Sequence, residues 1–346
     1  MRKTRYVIAA LAAGVIAAVA FAAVAGAQPA KTQATQLSGA GSSFVAPLIG
    51  QWINAYKDAT ITYNPVGSGA GITAISGRTV DFGATDAPPT VDQFTNCRGC
   101  VMVPWALSAS AILYNLPGVK NNLHLTGSVI ADMYLGKISK WNDAKIRKLN
   151  PGVNLPATDI TPVYRSDGSG TTFNVTDFLS ASSKTFSNQI GHNTAVDWPK
   201  GVGGRGSSGV SAILSRTPGA IGYADIAYAL ANKLQFAAVR NASGKFALPG
   251  LRGIKAAAQA DKKFDSRNFL SIVNPPKGAK YAQAYPICTY TYVLIPAQSP
   301  KGNDLKAFIT WAITDGQKLG VKLLFQPLPA YVVAHDKVVL KRVSST

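Results

Sequence analysis

Three times along the chain, a short strand-like run gives way to a cluster of glycine and hydroxyl residues, and then to apolar residues at helical spacing. Gln36-Leu37 leads into Gly39-Ala40-Gly41-Ser42-Ser43 and on to the amphipathic stretch Val45–Tyr56. Ile61-Thr62-Tyr63 leads into Gly67-Ser68-Gly69-Ala70-Gly71 and on to Ile72–Ser76. Ile160–Tyr164 leads into Asp167-Gly168-Ser169-Gly170-Thr171-Thr172 and on to Phe173–Leu179. Alternation of this kind predicts α/β domains with largely parallel central strands. Neither internal repeats nor low-complexity linkers interrupt it.

Each of these turns delivers Gly and Ser/Thr to the start of a helix. The first N–H groups of a helix lack internal partners and carry partial positive charge. Glycine lets the backbone come close to a ligand, and the hydroxyls add donors. Such a turn suits a tetrahedral oxyanion. One turn alone is ordinary N-capping; three in one chain, with no catalytic base among them, point to anion binding.

The first residues read differently. Arg2, Lys3 and Arg5 form a basic start, an apolar run follows from Tyr6 to Val24, and Ala25-Gly26-Ala27 supplies small residues at a cleavage position. This is the pattern of a signal peptide over residues 1–27, and we expect an exported protein, periplasmic or extracellular. In Val24-Ala25-Gly26-Ala27 an alanine stands where a lipidated cysteine would, so no lipid anchor is expected. The rest of the 346-residue chain is long enough for two domains.

Charge is lopsided, with 35 Lys+Arg against 16 acidic residues, every one an aspartate, for a formal net charge of +19. That field attracts anions in general. Nucleic acid is disfavoured, because the chain carries an export signal and its basic residues are scattered without an aromatic-interleaved stripe. Three cysteines in an oxidising compartment favour a structural disulfide. The local pair Cys97–Cys100 is the expectation, and a bond from either one to Cys288 is the alternative.

Several enzyme readings fail on the residues. Gly201-Val202-Gly203-Gly204-Arg205-Gly206 fits G-x-G-x-x-G, but Asp197-Trp198-Pro199-Lys200 before it is no buried strand, so we read a glycine loop. No turn matches the G-x-S-x-G of serine hydrolases, and no His/Asp cluster has metal-ligand spacing. His124, His192 and His335 lie far apart. Without a nucleophile–base pair, metal or cofactor, the chain is not expected to be an enzyme.

Arg165-Ser166-Asp167-Gly168-Ser169-Gly170-Thr171 gathers a guanidinium, a carboxylate, hydroxyls and glycine amides within seven residues. Arginine grips two oxyanion oxygens through its planar fork, and Asp167 is placed to hold that fork. Together with Leu37–Phe44, Val66–Gly71, Val80–Pro88, Tyr134–Asp143 and Trp198–Gly206 continuing to Pro218–Tyr223, this loop resembles the phosphate-binding proteins of high-affinity ABC phosphate uptake systems. The likeness runs in order from about residue 37 to 230 and resumes near Tyr285–Leu294 and Leu328-Pro329.

The resemblance implies a two-domain periplasmic-binding-protein-like α/β fold, with two crossing hinge strands and a ligand cleft between the domains. It places the crossings near Pro104–Ala109 and Pro286–Tyr290, with residues 28–107 plus 290–346 as domain I and 108–289 as domain II. Carried over residue by residue, it implies phosphate ligands at Ser43, Phe44 (backbone), Ser68, Asp86, Arg165, Ser169, Gly170 and Thr171, with Asp167 behind Arg165. The implied partners are inorganic phosphate and the permease subunits of an ABC importer, with the protein acting as a monomer. A secreted phosphatase, a binder of another oxyanion and a basic adhesion protein are the competing classes. Residues 230–285 match nothing specific.

Overall fold

In the computed structural model, residues 34–119, 122–260 and 263–346 are described; the expected signal peptide lies outside them. The strands, in chain order, are β1 (Thr35–Gly41), β2 (Ala59–Asn64), β3 (Phe82–Thr85), β4 (Cys100–Tyr114), β5 (His124–Leu125), β6 (Thr161–Arg165), β7 (Val202–Gly204), β8 (Ala220–Asp225), β9 (Gln235–Phe236), β10 (Ala238–Arg240), β11 (Phe246–Ala247) and β12 (Cys288–Pro296). The main sheet has the order β2-β1-β3-β12-β4-β8-β6-β7, with β9 also on β4, and β11-β10-β5 form a side sheet. Helices follow the strand ends, as the turn chemistry requires. Those that matter for the site are Ala46–Ala55, Ser68–Ser76, Gly170–Ser182 and Gly206–Arg216.

The sheet is parallel only in its outer parts. β1 runs parallel to β2 and β3, and β6 runs parallel to β7 and β8. At the centre, β12 pairs antiparallel with both β3 and β4, and β4 with β8. The expectation of largely parallel central strands is corrected there. A chain that passes from one lobe to the other and later returns presents two strands of opposite direction, which pair only antiparallel.

β4 and β12 form the spine. Every residue of both strands is buried, which matches their near-continuous apolar sequences. β4 pairs with β12 from Cys100 to Ala109 and with β8 from Ser110 to Tyr114, so the strand changes partner between Ala109 and Ser110. Pro104 has no N–H to give to this ladder. It faces Tyr292 where the register shifts, because Thr291 faces Ala106 and Trp105 is left over. A bulge is where proline is tolerated inside a sheet.

The main core surrounds this spine. Trp52, on the inner face of Ala46–Ala55, packs on Trp105 with centroids 5.1 Å apart, and Phe82 and Phe308 close the cluster. A smaller core packs Val210 and Leu214 of Gly206–Arg216 against Val163 and Ala220. The segment after Phe264, to which no motif gave a meaning, lies along the spine. Arg267 donates to the Pro89 carbonyl at 2.6 Å, Asn268 to Met102 at 3.0 Å, and the Tyr292 hydroxyl to Leu270 at 2.7 Å.

Cys97 and Cys100 are joined, and Cys288 is a buried free thiol. The alternative pairing to Cys288 is corrected by the ladder itself. Cys100 faces Pro296 at one end and Cys288 faces Ala109 at the other, roughly 25 Å apart at strand rise. Arg78 lies beside the bridge, donating to Cys100 Sγ at 3.1 Å and to the carbonyls of Cys97 and Arg98.

Asp336 is the strained point of the fold. It is fully buried in the helix Ala330–Leu340, and neither carboxylate oxygen has a hydrogen-bond partner. Burial pushes its carboxyl well above the ordinary carboxylate range. The folded protein therefore keeps a proton that the unfolded chain loses above about pH 4, and stability falls as pH rises through that interval. Asp336→Leu is expected to stabilise the protein by about 1–3 kcal/mol at pH 7, with a smaller gain at pH 4. Denaturant unfolding at the two pH values checks this; a gain independent of pH would contradict the assignment.

Candidate functional site

The C-terminal ends of β1, β3, β6 and β7 converge, which in open α/β sheets is where ligands sit. β1 runs out into Ser42-Ser43-Phe44 and β3 into Asp86. β6 ends at Arg165, and β7 hands over to Gly206-Ser207. Three helices begin here, at Ser68, Gly170 and Gly206. The glycine-rich segment 201–206, read as a loop, contains the short strand β7 and leads into the third of them. Asp197–Lys200 ahead of it is not a strand, as its sequence indicated.

Asp86 lies at the centre, 1% exposed. Ser42 Oγ sits 2.6 Å from Oδ1 and 2.7 Å from Oδ2, and Thr291 Oγ1 donates to Oδ1 at 2.8 Å. Ser68 Oγ accepts from the N–H of Asp86 at 3.2 Å and of Gly170 at 3.1 Å, and is 3.5 Å from Oδ2. Asn174 donates to the Asp86 carbonyl at 2.8 Å. Burial raises the Asp86 carboxyl to about 6, against the pull of the Ser42 and Thr291 hydroxyls, the Arg165 charge and Ser68.

Arg165, 4% exposed, donates from Nε to Asp167 Oδ1 at 2.7 Å and from Nη2 to Oδ2. Its backbone N–H is held by the Tyr223 hydroxyl at 3.2 Å. Asp167 also accepts from the Gly206 N–H at 3.0 Å. Burial alone would raise the Asp167 carboxyl, but the Arg165 hydrogen bonds and charge, with the Gly206 N–H, hold it below the ordinary range. The bidentate pair fixes the guanidinium plane and leaves its far edge as a donor.

The other expected residues are gathered at the same place. Ser43 Oγ accepts from the Ser207 N–H at 2.9 Å and meets Ser207 Oγ at 3.1 Å, while its carbonyl accepts from the Tyr228 hydroxyl at 2.7 Å. The Phe44 N–H, expected to face a ligand, donates to Ser42 Oγ at 3.0 Å. Ser169 caps the helix Gly170–Ser182 by accepting from the Thr172 N–H at 3.1 Å. Thr171 Oγ1 is buried without a partner, an open polar group in an otherwise satisfied cluster. All eight expected ligands and Asp167 thus lie on one cluster of loops.

Sequence reasoning passed over Ser42, Asn174, Ser207, Tyr223, Tyr228 and Thr291. Ser42 and Ser207 had a local signal, as hydroxyls beside glycine at helix starts. Tyr223 ends a segment quoted for the resemblance and Asn174 lies one turn into the helix Gly170–Ser182, without either being singled out, while Tyr228 and Thr291 are brought in by distant elements.

The loops after β2 and β6 touch directly. The Gly69 N–H donates to the Gly168 carbonyl at 3.1 Å. Gly67 has φ +100°, and a Cβ there would collide with the Asp167 carboxylate and lie 2.9 Å from the Gly168 carbonyl oxygen. Gly67→Ala is therefore expected to cost about 1–2 kcal/mol of backbone strain and to hold these two loops, and the elements that carry them, apart. Unfolding midpoints and the radius of gyration from small-angle scattering measure the two effects; a variant as compact and as stable as the parent would contradict the close approach.

A family model described as a PBP superfamily domain matches residues 26–316. A protein of Xylella fastidiosa named phosphate-binding protein PstS is 40% identical over 310 residues, covering 88% of this chain and 84% of its own. One of the same name from Haemophilus influenzae is 35% identical, covering 88% and 92%. Among solved structures, the high-affinity periplasmic phosphate-binding protein PfluDING, bound with phosphate, superimposes with a TM-score of 0.70 at 20% identity, covering 88% of this chain and 93% of its own. A phosphate-binding protein from Stenotrophomonas maltophilia also gives 0.70, at 18% identity and with the same coverage. These structural likenesses are of fold.

Proposed function

The chain belongs to the phosphate-binding proteins of the PBP superfamily, and from that premise we propose that its cleft takes up inorganic phosphate through the loops around Asp86 and Arg165. It is a solute-binding protein of an ABC-type phosphate importer and not an enzyme. Its fold is the two-domain α/β arrangement of that superfamily.

The observation that carries the reading is the meeting of opposite chemistries in one buried place. Arg165 and the helix starts at Ser68, Gly170 and Gly206 supply donors for an anion. Asp86, an acceptor, lies among them. A pocket for a fully deprotonated anion has no use for a buried carboxylate. Phosphate keeps at least one proton near neutral pH, and Asp86 accepts a hydrogen bond from that P–OH group. Ser43, the Phe44 backbone, Ser68, Arg165, Ser169, Gly170 and Thr171 donate to the remaining oxygens, with Asp167 steadying Arg165. For the ligand to enter, the hydroxyls and amides that now satisfy one another exchange those bonds for bonds to phosphate.

We assign residues 28–107 and 290–346 to one domain and 108–289 to the other. The change of partner along β4 at Ala109 and Ser110 supports a hinge there. The protein acts as an exported monomer that docks on the permease subunits of its importer. The leader pattern over residues 1–27 supports export, and no helix of the described residues is long and apolar enough to cross a membrane.

Calorimetric titration with phosphate tests the reading directly. Arg165→Ala removes one partner of a buried charge pair, a loss of about 3–5 kcal/mol, so affinity is expected to fall by two orders of magnitude or more. Ser169→Ala removes one hydrogen bond to a charged ligand, about 1.5–3 kcal/mol. Equal, mild losses would mean that the site lies elsewhere.

Selectivity gives a second test. Sites built to bond a ligand hydroxyl reject analogues without it by about 10⁴–10⁵, so sulfate is expected to compete poorly with labelled phosphate. Asp86→Asn, whose amide can donate, is expected to narrow that gap. Sulfate competing on equal terms with the unmutated protein would refute the role of Asp86.

A further inference from the structure

Asp86 ends β3, which lies between β1 and β12 in the sheet. Its two nearest hydroxyl donors come from these neighbours: Ser42 from the end of β1, and Thr291 from within β12. The Ser42 oxygen already accepts the Phe44 N–H at 3.0 Å, which turns its single proton toward the carboxylate. Thr291 takes Oδ1 at 2.8 Å. Oδ2 shares the Ser42 proton and receives the Ser68 hydroxyl only at 3.5 Å, a long contact. The carboxylate is thus asymmetric, with Oδ1 held by β12 and Oδ2 the more open acceptor.

This asymmetry bears on selection. A carboxyl group buried without donors takes up a proton and becomes a donor itself. A donor at this point would welcome a fully deprotonated anion and repel the P–OH group. We propose that Ser42 and Thr291 are positioning residues for Asp86, which hold its carboxylate ionised and present Oδ2 to the acid proton of the ligand. The proposal rests on the phosphate reading and deepens it.

Other groups also face Asp86. Tyr63 approaches from β2, Arg165 from β6, Asp225 from the end of β8, and Tyr228 from the helix Ile226–Asn232. Of these only Arg165 is a cation, and it belongs to the other lobe. Its support comes and goes with closure of the cleft. Ser42 and Thr291 share the sheet with Asp86 on adjacent strands, so their support persists when the cleft opens. Selectivity is set before the ligand is enclosed.

The test uses the full mature chain labelled with ¹³C at aspartate. The Asp86 carboxyl resonance is assigned by its loss in Asp86→Asn, and its titration midpoint is followed in the phosphate-free protein. Hydrogen bonds of hydroxyls to an ionised carboxylate are strong enough that Ser42→Ala and Thr291→Ala should each raise that midpoint by about one pH unit. Ser42→Thr and Thr291→Ser, which keep the hydroxyl, should leave it where it is in the parent. Sulfate does not change charge between pH 5 and 8, so it should compete with phosphate better at pH 6 than at pH 8, and more so in the alanine variants.

Alanine variants that bind phosphate weakly but keep the parental midpoint would overturn the proposal, reducing both residues to packing. A midpoint that moves in a protein whose parent binds no phosphate would overturn the phosphate reading and leave the positioning of Asp86 standing.

Discussion

Taking the Asp86 carboxylate out of water carries a free-energy cost that few hydrogen bonds offset in full, and much of the molecule is arranged around that cost. β1 brings Ser42, the helix after β2 brings Ser68, and the spine strand β12 brings Thr291. The helix Gly170–Ser182 contributes Asn174 to the Asp86 carbonyl. These donors come from four separate elements, and each is placed by the packing of its own element. The carboxyl nevertheless stands at about 6 rather than in the ordinary range. Its surroundings reduce the penalty without removing it.

The Arg165–Asp167 pair solves the opposite problem. A guanidinium buried alone would be costly, and one fully satisfied would be useless as a donor. Asp167 takes one edge, in a bidentate grip that also draws in the Gly206 N–H, and so aims the other edge. Asp167 therefore ties the start of the helix after β7 to the end of β6, and its oxygen lies where a side chain on Gly67 would have to go. One ion pair sets the plane of the Arg165 guanidinium, the contact between the loops after β6 and β7, and the clearance at Gly67.

β4 and β12 are buried along their whole length, and β4 joins the pairing with β12 to the pairing with β8. The segment Asp265–Leu270 grips both strands and the Pro89 carbonyl, three residues past Asp86. Thr291 lies at the bulge of the same spine. Thr291 and Asp86 thus sit together beside the irregularity in the spine.

Local patterns in the sequence determined what depends on neighbours in the chain. Glycine and hydroxyl clusters at helix starts marked the loops after β1, β2 and β6, because N-capping and close backbone approach are local requirements. The Arg165–Asp167 pair was legible for the same reason, two residues apart at one strand end. So was the Cys97–Cys100 bridge, three residues apart. Tertiary structure alone decided what depends on elements far apart in the chain. The antiparallel pairing of the central strands follows from the chain's return in β12 some 180 residues after β4. Thr291 reaches Asp86 across a separation of 205 residues, and Tyr228 reaches Ser43 across 185. Thr291 has ordinary strand residues as neighbours, and the Asp225 cap ahead of Tyr228 marks a helix start and not a partner for Ser43. Their chemistry is created by packing, and packing is a property of the assembled sheet.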